Sequence, residues 1–153
     1  MLKVDIRNVL DYGIESAYEI FKPMHENLCY SDMDSKWEIL REPIFTDFKS
    51  FESALEYTNI FFIVLEESEE KIVGYIILDA FNSGAAQIKE IMIKPEERKH
   101  GYGRRAVKLL MEILKEDEDI KSLCVVSATM ATDNFYSSCG FRYSSGNLYE
   151  YRW

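Results

Sequence analysis

Apolar and polar residues follow a changing period along this 153-residue chain, and each change marks an element. Leu2, Val4 and Ile6 alternate with polar neighbours over residues 1–7, the period of a first strand. Ile14, Ala17, Tyr18 and Phe21 then share one helical face, with Asp11 placed to cap that helix and Pro23 to interrupt it. Residues 24–43 hold no clear period; a short helix is expected over 34–41, with Ser31 or Asp32 near its start. Thr46 or Asp47 opens the next helix, with Phe48, Phe51, Ala54 and Leu55 on its apolar side and Thr58-Asn59 at its end.

The second half of the chain is sharper. Two apolar runs, 60–66 and 71–79, flank the charged turn Glu67-Ser68-Glu69-Glu70 and read as a hairpin. Gly74 inside the second run predicts a bulge or a close backbone approach. After Asn82-Ser83-Gly84 a strand is expected over 86–93, so three strands lead into Gly101-Tyr102-Gly103. From there Ala106, Val107, Leu110, Met111 and Leu114 line one face of a long helix that closes between Lys115 and Asp119. Residues 122–127 read as a buried strand and 129–139 as a short helix. Two last strands, 141–144 and 148–152, lie around Ser145-Gly146-Asn147. The pattern is that of one domain spanning 1–153, a mixed α/β sheet with a long helix after its central strand.

Composition narrows the function classes. An apolar fraction of 47% and a charged fraction of 29% are those of a soluble globular protein. There is no apolar run long enough to span a membrane, and the first ten residues lack the core of a signal peptide. Cys29, Cys124 and Cys139, an odd set without CxxC spacing, predict reduced thiols and a cytoplasmic protein. His25 and His100 are too few and too scattered for a zinc site, and His25 reads as a plain surface histidine rather than a base. A net charge of −9 argues against a general nucleic-acid binder.

That charge is uneven. Lys94, Arg98, Lys99, Arg104, Arg105 and Lys108 cluster where Gly101 and Gly103 open the long helix. A helix start offers unpaired N–H groups and the positive end of the dipole, and glycine lets a ligand approach them. With basic residues on every side, this is a phosphate site by its chemistry. A Walker loop, G-x-x-x-x-G-K-[ST], is absent. For a dinucleotide fingerprint Ala106 would be tolerated, but the acidic residues at 117–119 arrive too early, in a turn rather than at a strand end.

What remains, Arg98-Lys99-His100-Gly101-Tyr102-Gly103, resembles the R/Q-x-x-G-x-G/A pyrophosphate loop of the GNAT superfamily of N-acetyltransferases. The likeness extends upstream, where Ile93-Lys94-Pro95-Glu96-Glu97-Arg98 is similar to that family's V-x-P-x-x-R. It also extends downstream, where Phe135-Tyr136 and Gly140-Phe141 resemble its F/L-Y-x-x-x-G-F. The three elements stand in family order across 88–141, and the whole chain can be laid on the family. The resemblance implies a mostly antiparallel central sheet of about seven strands, helices on both faces and a splayed cofactor cleft.

The resemblance further implies acetyl-CoA, or another acyl-CoA, as co-substrate, without a metal. The pyrophosphate is expected on the backbone of Lys99, His100, Gly101, Tyr102, Gly103 and Arg104, with charge from Arg98. The pantetheine arm is expected along the strand at Met92 and Ile93. Tyr136 stands where the family has the tyrosine thought to protonate the leaving thiolate. Seven residues earlier the family often carries a cofactor-holding asparagine; this chain has Thr129, whose hydroxyl substitutes in part. Glu90, the only carboxylate in the central strand's apolar run, reads either as a base, as in some relatives, or as a solvent-facing charge. It shares strand parity with Ile88 and Met92 unless a bulge resets the count.

The expected function is acyl-CoA-dependent N-acyl transfer, acetyl moving to a primary amine by direct attack in a ternary complex. The alternative is a non-catalytic acyl-CoA-binding sensor. The acidity of the chain favours a cationic acceptor, a small amine or a protein amine, facing the acidic and aromatic stretch that includes Asp32, Asp34, Trp37 and Glu38. The partners expected are therefore acetyl-CoA and an amine, with no nucleic acid and no membrane; a homodimer is left open.

Overall fold

A computed structural model describes residues 3–31, 44–80, 84–127 and 130–153. The helix expected over 34–41, the turn residues Asn82 and Ser83, and Thr129 lie outside the described residues. Strands β1 (Lys3–Asn8), β2 (Thr58–Glu66), β3 (Glu70–Ala80), β4 (Ala85–Ile93), β5 (Ser122–Val126), β6 (Arg142–Ser145) and β7 (Leu148–Arg152) form one sheet. Its order is β1-β2-β3-β4-β5-β7-β6, and every neighbouring pair is antiparallel except β4 with β5. Helices α1 (Ile14–Ser31) and α2 (Phe48–Ala54) cover one face, and α3 (Tyr102–Lys115) and α4 (Met130–Ser138) the other. The pattern predicts the mixed sheet, and the mostly antiparallel pairing with helices on both faces is what the resemblance implies.

The N-terminal helix differs from expectation at both ends. Asn8, not Asp11, does the capping there: its side chain accepts from the Leu10 N–H at 2.9 Å and closes a short 3₁₀ turn, Val9–Tyr12. Gly13, at φ +80°, then redirects the chain into α1. Pro23 lies inside the helix instead of ending it. A proline there forfeits its own backbone hydrogen bond and crowds the carbonyl one turn back, while Phe21 and Met24 bury beside it against the sheet. The second helix matches more closely. Asp47 accepts from the Ser50 N–H at 2.7 Å while the Ser50 hydroxyl reaches back to the Asp47 N–H, a reciprocal cap. The helix ends at Ala54, and Thr58-Asn59 already belong to β2.

Two bulges decide which side chains face which layer. In β2–β3 the register slips at Val73, so Val73 faces the α3 layer while Tyr75 and Ile77 face the α1 layer. Gly74 follows it, where an added Cβ would fall 2.0 Å from the Met92 carbonyl oxygen, so only glycine fits. In β3–β4 the register passes from Ile77–Glu90 to Leu78–Ile88, leaving Lys89 as the extra residue. Ala86 and Ile88 therefore pack toward α3, and Met92 packs toward α1.

On the other side of the sheet α3 buries Tyr102, Ala106, Val107, Leu110, Met111 and Leu114, the face its period predicts. Leu110 is fully buried in that layer. Leu110→Ala is expected to lower the unfolding free energy by about 2–5 kcal/mol. A denaturant midpoint that barely moves would mean the α3 face is not packed as described.

Candidate active site

The β4–β5 pairing is short. It runs from Ala85–Ser122 to Ile88–Val125 and stops, although β4 continues to Ile93. The bulge at Lys89 sits where the pairing ends, and beyond it β4 pairs, among the described residues, with β3 alone. The Lys94 N–H bonds to the Val73 carbonyl at 2.8 Å, so by strand alternation the groups of Met92 turn to β3 and those of Ile91 and Ile93 to the open side. At that end the Ile93 carbonyl accepts from Nε of Arg98 at 2.8 Å, which ties the glycine loop to the strand. An ion pair between Lys71 of β3 and Glu97 pins the 3₁₀ turn Pro95–Glu97 that precedes Arg98.

The loop itself turns on two left-handed residues, Lys99 at φ +67° and Gly101 at φ +80°. Gly101 is the N-cap of α3 and offers no side chain to cap it, which suits the N–H groups of its first turn to an acceptor from outside the helix. An added Cβ at Gly101 would meet nothing within 4 Å; glycine serves the positive φ there. Gly103 has a different reason. Its Cβ would stand 3.3 Å from the Phe135 ring and 3.6 Å from Ile93, so glycine lets the start of α3 pack against α4 and the end of β4.

Tyr136 lies on α4, 5% exposed, with its ring edge-on to Phe135 and Phe141 at 5.1 and 5.6 Å. Its carbonyl accepts from the N–H groups of Cys139 and Phe141, which anchors the Gly140 turn. It belongs to the α3 layer, together with Ile88 and Val125.

Glu90 is 4% exposed, and the Tyr75 hydroxyl donates to its Oε1 at 2.7 Å. Of the two readings of this residue, the solvent-facing charge is set aside. The bulge turns it to the α1 layer with Met92, away from the side of Ile88, as its burial under α1 shows. His25, expected at the surface, is only 2% exposed: its Nδ1 is 2.8 Å from the Tyr75 hydroxyl and 3.8 Å from Glu90 Oε1. Its ring stacks on Phe21 at 4.8 Å.

Sequence reasoning missed both His25 and Tyr75. A phenol inside an aliphatic run needs a partner for its hydroxyl, and that is a usable signal. For His25 the signal was hidden by ending the helix at Pro23: carried one turn further, the stripe Phe21, Met24, His25 is continuous.

Burial pushes the thiols of Cys124 and Cys139 up from their ordinary value, which leaves both poor nucleophiles. No helix among the described residues is long and apolar enough to cross a membrane.

Comparison with known proteins bears on the fold and the family. A UPF0039 protein of Schizosaccharomyces pombe is 28% identical over 80 residues, which is 52% of this chain and 53% of that protein; the match thus spans about half the length of this relative. A domain from Methanocaldococcus jannaschii superposes with a TM-score of 0.73 at 20% identity, covering 100% of both chains. The PaiA N-acetyltransferase of Thermoplasma acidophilum, solved with coenzyme A, superposes at 0.66 and 16% identity, covering 99% of each. Residues 14–141, from the start of α1 to the Gly140-Phe141 turn, match the Acetyltransferase (GNAT) family, and the chain belongs to that family.

Proposed function

We propose that this chain is an acyl-CoA-dependent N-acyltransferase, one domain over residues 1–153, moving acetyl from acetyl-CoA to a primary amine. The observation that carries the reading is the opening between β4 and β5 beyond Ile88, beside the uncapped start of α3. Acetyl-CoA brings a long arm with phosphates at one end and an activated thioester at the other. The first-turn N–H groups of α3 and the turn at Lys99 and Gly101 suit the phosphates. The open backbone edge at Ile91 and the N–H of Ile93 suit the amide groups of the arm, with Met92 holding the strand against β3.

Each candidate residue then has one task. Glu90, from the α1 layer, takes the proton of the attacking amine, directly or through water. Tyr136, from the α3 layer, gives a proton to the departing thiolate. On this reading the two residues, from opposite layers of the sheet, serve a substrate in the opening from either side. The raised thiols of Cys124 and Cys139 argue against an acyl-cysteine intermediate at either of them. Net charge −9 and the carboxylates Asp32, Asp34 and Glu38 favour a cationic amine, small or on a protein.

Calorimetry with acetyl-CoA tests the loop. Arg98→Ala is expected to weaken affinity about 10- to 100-fold, the value of a charge-assisted contact, and the loss should shrink at high salt. A loss that salt leaves unchanged would reduce Arg98 to its tether on Ile93. Unchanged affinity in folded Arg98→Ala and Gly101→Ala variants would remove the loop from the cofactor site.

A further inference from the structure

Glu90 does not stand alone in its layer. The Phe45 N–H points at Nε2 of His25 at 3.3 Å, so that nitrogen is an acceptor and the ring proton belongs on Nδ1. Nδ1 then donates to the Tyr75 oxygen at 2.8 Å, and Tyr75 donates to Glu90 at 2.7 Å. All donors point one way, from the Phe45 backbone to the carboxylate. A second proton on His25 would set an Nε2–H against the Phe45 N–H, donor against donor.

We infer that Tyr75 and His25 are positioning residues that keep the buried Glu90 ionised and oriented, with His25 a neutral donor and never itself a base. Burial among Phe21, Ile77 and Met92 favours the neutral acid, and a donor on the carboxylate opposes that. The Nδ1–H bond to the phenol oxygen strengthens the phenol as a donor in turn. The titratable groups facing Glu90 among the described residues are His25 from α1 and Tyr75 from β3. From α2 and β2 come apolar side chains, Phe51, Ala54, Ile60, Phe62 and Val64. Tyr12, at the edge of this layer, is engaged by Glu70, and Lys89 pairs with Asp79 at 3.2 Å. The inference rests on Glu90 being the base of the proposed reaction, but its test does not require turnover.

The first readout is an infrared pH titration of the full chain, with the protonated-carboxyl band of Glu90 assigned by its absence in Glu90→Gln. The wild type should show no such band near neutral pH. Tyr75→Phe keeps the ring and removes the donor, and its Glu90 midpoint should move up by about one to two pH units. An unmoved midpoint in the folded variant overturns the inference. The second readout is nitrogen NMR of the two histidines, with exposed His100 identified by His100→Gln. His25 should hold its single proton on Nδ1 from about pH 8 down to about pH 5. A His25 that takes up a second proton in that range, or carries its proton on Nε2, also overturns it. Glu90→Gln with wild-type turnover would instead sink Glu90 as the base, a failure separable from either of these.

Discussion

Tyr136→Phe is expected to lower kcat by about 10²–10⁴-fold with little change in KM, the range of a positioned general acid. The substitution isolates one oxygen. The ring contacts to Phe135 and Phe141 persist, and the bonds from Cys139 and Phe141 go to the Tyr136 backbone carbonyl, which the change does not touch. Fold and cofactor affinity should therefore hold. The alkaline limb of the rate profile should change as well, because a phenol that must be protonated fails as pH approaches its own value, about 10 in a free side chain. The check is kcat against pH for both proteins with one active amine. A variant within about threefold of wild type at every pH falls short of the general-acid range and makes Tyr136 a packing residue.

Glu90→Gln is expected to cost a similar factor, about 10²–10⁴ in kcat, for the opposite partner in the proton traffic. The amide keeps the shape of the carboxylate, and its oxygen can still accept from Tyr75, so the buried site stays filled. What is lost is the ability to take a proton. The pH dependence gives the sign: a carboxylate base works only when ionised, so wild-type activity falls as pH drops through its ionisation. The glutamine variant should lose that acid limb and leave a low, flat residue of activity. A variant with wild-type kcat and an intact acid limb would show the base to lie elsewhere.

Most of the fold was legible because most elements announce themselves by period. The hairpin of β2 and β3, the α3 stripe and the last two strands all appear within a residue or two of where alternation puts them. Parity was the weak point. One extra residue at Lys89 moves Glu90 to a different layer from Ile88, and no composition signal at Lys89 announces it. Gly74 was different: a glycine within an apolar run is itself a sign, and both expected features, bulge and close approach, meet there. Pro23 misled in the other direction, since tertiary packing of Phe21 and Met24 outweighs the lost hydrogen bond and the crowding by the ring.

The loop was read correctly as a helix start, yet its two glycines have separate reasons that spacing cannot distinguish. Gly101 meets a dihedral requirement and Gly103 a packing one. The partnership of His25, Tyr75 and Glu90 joins residues 50 and 15 positions apart, and only the pairing of β3 with β4 and the packing of α1 on them bring the three together.

The most direct measurement of the central claim is CoA thiol release from acetyl-CoA across a panel of cationic and protein amines, with the acetylated amine counted in parallel. The account predicts that at least one amine accelerates release and that one acetylated amine forms per CoA released. Binding of acetyl-CoA with release that no amine accelerates would contradict it and make this chain an acyl-CoA sensor.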